Sequence, residues 1–123
     1  MKRVLVVDDD DDMRSLMLML LSARYDVSVA RDGAEGLEMA RRLRPDLIVL
    51  DLLMPRMHGF EMCRRLRADA ELKAVKVLIS SSKSYAHDMQ TAIGETGADD
   101  YILKPFDIAE FKVRVAALLG EAP

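Results

Sequence analysis

The stretch Val4-Leu5-Val6-Val7-Asp8-Asp9-Asp10-Asp11-Asp12 decides how this chain is read. Four apolar residues in a row have the pattern of a strand buried on both faces, as in a parallel sheet. Five aspartates follow at once. Two unit charges about 4 Å apart repel by roughly 4 kcal/mol at an effective dielectric near 20. Such a run behind a buried strand needs a compensating cation or contact with water, so it is either a hard-metal site or the acidic start of a helix. An EF-hand loop opening at Asp8, Asp10 and Asp12 is excluded, because Met13 stands where that loop needs glycine and Met19 where it needs glutamate. Asp11 and Asp12 suit a helix start, where carboxylates are favourable against the helix dipole.

Outward from this stretch, short apolar runs alternate with helical patterns. Met13 to Tyr25 carries a stripe of Met13, Leu16, Met17, Leu20 and Leu21. Asp26 to Ala30 is a short strand, and Ala34 to Leu43 a helix with Leu37, Ala40 and Leu43 inward, stopped by Pro45. Leu47-Ile48-Val49-Leu50 is the third strand, and its unbroken apolar run implies burial on both faces. Further helices are expected over Gly59–Arg67 and Tyr85–Glu95, and strands over Val75–Ile79 and Tyr101–Leu103. Asp107 caps a last helix with Ile108, Phe111, Val115 and Leu118 on its buried stripe. Five strand–helix units predict an α/β fold, a parallel sheet with helices on both faces.

The chain has 123 residues, half of them hydrophobic and 32% charged, which fits one domain with one core, residues 1–120, followed by a frayed tail over 121–123 and no output domain. A net charge of −3 argues against general affinity for nucleic acid or an anionic membrane. The longest apolar run, Leu16 to Leu21, is far too short to span a bilayer. The single cysteine, Cys63, allows no internal disulfide and suits a reducing cytoplasm; its neighbours Phe60 and Met62 suggest a packed helix position.

In open parallel sheets, function gathers beyond the carboxyl ends of the strands. Here those ends carry Asp8 and Asp9, then Asp51, then Ser80-Ser81-Ser82, then Lys104-Pro105. The carboxylates supply hard oxygen ligands of the kind Mg²⁺ takes together with waters and a phosphate. Lys104 is a flexible point charge suited to a phosphoryl oxygen, a serine hydroxyl adds a hydrogen bond, and Asp51 is a candidate nucleophile that can form an acyl phosphate. Together they describe a magnesium-assisted phosphoryl-transfer site in which positioning and charge neutralisation do most of the catalysis.

The segments VLVVDDD, PDLIVLDLLMP, the glycine of RMHGFE, and GADDYILKPF closely resemble the receiver domain of bacterial response regulators, in order and over essentially the whole chain. The stand-alone chemotaxis and sporulation-type regulators are the nearest in architecture. The resemblance implies a flavodoxin-like, doubly wound sheet of five parallel strands in order 2-1-3-4-5 with five helices. It implies that Asp51 accepts a phosphoryl group from a sensor histidine kinase or a histidine phosphotransfer protein. Asp8 and Asp9 match the acidic pair, Asp9 being the direct Mg²⁺ ligand of the two, with Mn²⁺ an alternative ion. The backbone carbonyl of Leu53 matches the third protein ligand beside Asp51, and Lys104 the lysine that contacts the phosphoryl group. The Lys104–Pro105 bond is expected to be cis. Tyr101 matches the aromatic that changes rotamer on activation. Hydrophobic alignment makes Ser81 the switch hydroxyl, whereas counting back from Lys104 makes it Ser82. The output is a downstream effector protein bound through the face of the fourth helix, fifth strand and fifth helix, by a monomer or a phosphorylation-dependent dimer.

Three positions depart from the family pattern: Arg56 where glycine is common, His58 where aspartate is common, and Ser82 where a small alanine is usual. Two other functions compete. A phosphatase acting through an aspartyl intermediate usually needs a second aspartate two residues past the nucleophile, and Leu53 stands there. A docking module that is never phosphorylated has no need of Asp9, Asp51 and Lys104 together.

Overall fold

A computed structural model describes residues 1–82, 93–94 and 96–122. In chain order the elements are β1 (Arg3–Val7), α1 (Asp11–Leu21), β2 (Asp26–Ala30), α2 (Gly33–Leu43), β3 (Leu47–Asp51), α3 (Gly59–Ala68), β4 (Lys76–Ser82), β5 (Asp100–Lys104) and α4 (Ile108–Leu118). The helix expected over Tyr85–Glu95 lies outside the described residues, apart from Ile93 and Gly94, which are helical. The five strands form one parallel sheet in the order β2-β1-β3-β4-β5. This is the flavodoxin-like order expected from the sequence.

Strand alternation sends successive side chains to opposite faces of the sheet, and two cores result. Leu5, Val7, Ile48, Leu50, Val77 and Ile79 pack with α2 and α3 through Leu37, Ala40, Met62 and Leu66. Val4, Val6, Leu47, Val49, Leu78 and Ile102 pack with α1 and α4 through Met17, Leu21, Phe111 and Val115. All five residues of β3 are buried, as its unbroken apolar run requires.

The helix ends follow local chemistry. α1 begins at Asp11, two residues before the periodic stripe, because the Asp10 carboxylate accepts the Asp12 amide and Asp11 and Asp12 occupy the first turn. It ends at Leu21 rather than Tyr25, which is buried beyond the helix in the second core. α2 stops at Arg44, in a left-handed conformation (φ 49°), immediately before Pro45, whose ring disfavours helical geometry in the residue ahead of it. In α4 the expected inward residue Ile108 is 48% exposed. It lies in the first turn, whereas Phe111 and Val115 are buried as expected, with Ala116 beside them. The segment expected to fray is tied down through residue 122: the Glu121 amide donates to Ala116 O, and the Arg24 guanidinium donates to Ala122 O. No described helix is long and apolar enough to cross a membrane.

Candidate functional site

The carboxyl ends of β1, β3 and β5 bring three side chains into hydrogen-bond contact. Lys104 Nζ donates to Asp8 Oδ2 at 3.0 Å and to Asp51 Oδ1 at 3.2 Å. Asp8 is 1% exposed and Asp51 9%, so both carboxylates are buried under this one ammonium. Asp8 also accepts the Asp10 amide on Oδ1 at 2.9 Å, and its main-chain oxygen accepts the Arg14 guanidinium at 2.7 Å. The β1–α1 turn is therefore held at both the side chain and the backbone of Asp8. Asp9 is exposed, and it offers an oxygen that lies with those of Asp8 and Asp51 inside a 4.8 Å group.

Burial, the largest influence, pushes the Asp51 carboxyl up to about 6, the Asp8 charge adds to it, and the Lys104 ammonium opposes both. Burial also works against the Lys104 ammonium, but Asp51 and Asp8 outweigh it and hold Lys104 above the usual lysine range. Three carboxylates around one ammonium leave negative charge in excess. Three hard oxygen donors within 4.8 Å, with the exposed Asp9 open to water, fit a small divalent cation such as Mg²⁺ rather than a soft metal.

The hydroxyls stand differently. Asp51 is level with Ser80 across the β3–β4 ladder, Ser81 with Leu103, and Ser82 with Lys104. Ser81 is buried, and its Oγ donates to Ser82 O at 3.4 Å, not to the carboxylates. Ser82 is exposed. Tyr101 is half-buried against the first core, where Phe60 and Ile93 also pack, and is level with Ile79. Leu53 is exposed, and the Lys104–Pro105 bond is cis.

The loop after Asp51 explains the unusual positions of the sequence. Arg56 has φ 69°, the left-handed region that favours glycine. His58 caps α3, its Nδ1 accepting the Phe60 amide at 3.3 Å, which is the work an aspartate does at a helix start. Gly59 allows the closest approach in the site. A Cβ there would lie 2.5 Å from Asp51 O, so α3 can begin against the end of β3 only with glycine. Arg14 drew no attention in the sequence, because only the folded turn brings it to Asp8. Cys63 is fully buried and donates to Thr96 O at 3.3 Å; burial pushes its thiol up.

A doubly wound parallel sheet with an acidic cluster and a lysine at its carboxyl edge defines a class of protein rather than a member of it. Comparison with known proteins supplies the family. Residues 4–116 match the model of the response regulator receiver domain, and the chain belongs to that family. It is 42% identical over 120 residues to the DNA-binding dual master transcriptional regulator RpaA of a Synechocystis species, covering 97% of this chain and 49% of that protein. The chain thus spans about half the length of the curated relatives it matches. The solved structure of the chemotaxis protein CheY4 of Vibrio cholerae superposes with a TM-score of 0.89 at 30% identity, covering 96% of this chain and 98% of that one. The receiver domain of a Pseudomonas aeruginosa sensor histidine kinase, solved with a magnesium ion coordinated in its active-site cleft, superposes with a TM-score of 0.87 at 25% identity, covering 98% of each chain.

Proposed function

We propose that this chain is a phosphoryl-accepting switch, with Asp51 as the acceptor. The observation that carries the reading is the Lys104 ammonium bridging the buried carboxylates of Asp8 and Asp51 while Asp9 completes an oxygen cluster beside them. An Asp51 oxygen attacks the phosphorus of a phosphohistidine on a sensor kinase or phosphotransfer protein. A P–O bond forms, the P–N bond breaks, and the imidazole leaves with a proton. Asp8, Asp9, Asp51 and the Leu53 carbonyl would hold Mg²⁺, or Mn²⁺ in its place, and the ion supplies neutralisation of phosphoryl charge. Lys104 turns an N–H toward a phosphoryl oxygen. Ser81 donates to another, exchanging its long bond to Ser82 O, and Ser82 is the alternative donor.

Tyr101 then moves inward, and the face made by β5, α4 and the fourth helix expected from the sequence changes its affinity for an effector protein. This is a population shift between two states. The domain works in the cytoplasm, as a monomer or as a dimer formed on phosphorylation. A net charge of −3 supports protein partners rather than direct nucleic-acid or membrane contact for this segment. The similarity to longer DNA-binding regulators supports an output that is exerted through a partner or an attached domain. The test is amide NMR with beryllofluoride and Mg²⁺: shifts are expected at Ser81, Tyr101 and Lys104, and an unchanged spectrum contradicts the reading.

A further inference from the structure

Ser80 Oγ and Glu121 Oε1 are the buried side-chain polar atoms with no hydrogen-bond partner among the described residues. Glu121 has the Arg24 guanidinium 3.8 Å away to balance it. Ser80 is wholly buried, and only its main chain is satisfied, Ser80 O accepting the Leu52 amide at 2.9 Å. A buried hydroxyl without a partner is destabilising. It persists more readily if another state of the protein supplies the partner.

The position of Ser80 says which partner. It is level with Asp51 on the adjoining strand, and neighbouring strands lie about 4.8 Å apart. Val6, Val49, Leu78 and Ile102 all belong to the core under α1 and α4. Two residues on, Asp8, Asp51, Ser80 and Lys104 therefore share that face. Ser81 follows Ile79 to the opposite face. Asp8, Asp51 and Ser80 form one row, and Asp51 Oδ1 now accepts the Lys104 ammonium.

We propose that Ser80 is a positioning residue for Asp51: its hydroxyl donates to the Asp51 oxygen that Lys104 leaves when the ammonium turns to a phosphoryl oxygen. Rotation between the staggered side-chain wells of Ser80 re-aims the hydroxyl without moving the backbone. The bond exists only in the phosphoryl-bound state, so Ser80 favours that state over the resting one, and it holds Asp51 once Lys104 has left. The inference rests on Asp51 being the phosphoacceptor.

The experiment compares wild type, Ser80→Ala and Ser80→Cys by thermal melting without ligand and by calorimetric titration with beryllofluoride in saturating Mg²⁺. Ser80→Ala is expected to melt at or above the wild-type temperature when ligand-free, because it removes an unpaired hydroxyl. It is expected to bind beryllofluoride about threefold to tenfold more weakly. Cysteine, similar in size with a weak donor, is expected to fall between. A purely structural serine would not move melting and affinity in opposite directions. Wild-type binding with equal affinity in Ser80→Ala, or a lower ligand-free melting temperature for that variant, overturns the role of Ser80 alone. No binding by the wild type overturns the acceptor reading and Ser80 with it.

Discussion

The two edges of the sheet handle charge in opposite ways. At the edge where the strands begin, Arg41 meets Asp69 at 3.4 Å, Arg44 meets Glu71 at 2.7 Å, and Asp99 lies between Arg67 at 2.9 Å and Lys76 at 3.9 Å. In these three groups cations equal or outnumber their carboxylates, and most of the side chains reach water. At the edge where the strands end, Asp8, Asp9 and Asp51 cluster, Lys104 pairs with Asp8 and Asp51, and two of the three carboxylates are buried. Charge at the first edge staples loops. Arg67, for instance, donates to the carbonyls of Gly97, Lys73 and Val75 and to Asp99, joining α3 to the segments that lead into β4 and β5. Charge at the second edge is left unbalanced, and an unbalanced buried cluster is what a cation or a phosphoryl group with its metal can complete.

The contrast is sharpest in pH dependence. Asp51 has its carboxyl raised from 3.8 to about 6, so the folded state holds a proton that the unfolded chain releases. The contribution is fully present below pH 3.8 and is lost as pH rises through about 6. In metal-free urea unfolding, Asp51→Asn is therefore expected to exceed wild type by up to about 3 kcal/mol at pH 7, with the gap closing toward pH 4. A gap that is constant with pH would remove the unbalanced charge from the account.

Completing the cluster comes next in size. Mg²⁺ at a hundredfold excess over its dissociation constant should stabilise the wild type by about 2.7 kcal/mol. Asp9→Ala should lose that gain, and without metal it should melt above the wild type because repulsion is relieved. Equal melting of the wild type with and without Mg²⁺ would contradict the site. Removing the cation instead, Lys104→Ala should destabilise the metal-free protein by about 2 kcal/mol, and Mg²⁺ should recover much of the loss. The starting edge should barely respond: Arg44→Ala removes an exposed pair and is expected to cost no more than about 0.5 kcal/mol at any pH between 5 and 8. A larger cost there would erase the distinction between the edges.

How much of this was legible in the sequence depends on how local each signal is. The strands were legible because the buried residues Val4–Val7 of β1 and Leu47–Leu50 of β3 read as unbroken apolar runs, and the candidate site because four of the five strand ends carry its chemistry in order. The apolar stripe of α1 begins only at Met13, but Asp11 and Asp12 were already legible as an acidic helix start, and the structure places them in the first turn; the Asp10 cap is what the stripe and the charge run did not register. Ile108 was read as inward from periodicity alone, whereas in the fold it opens the helix and is 48% exposed. Arg56 and His58 were noticed only as departures. Their meaning, a left-handed backbone and a helix cap, is a property of dihedral angles and bonds. Ser80 passed as one of three serines, since its level with Asp51 and its lack of a partner among the described residues exist only once β3 and β4 are paired.

Intact-mass and peptide-mapping spectrometry after incubation with acetyl phosphate and Mg²⁺ tests the central claim most directly. One added phosphoryl group on the wild type, located at Asp51, is expected, with none on Asp51→Asn and none when Mg²⁺ is chelated. An unmodified wild type, or a phosphoryl group found on another residue, would contradict the account.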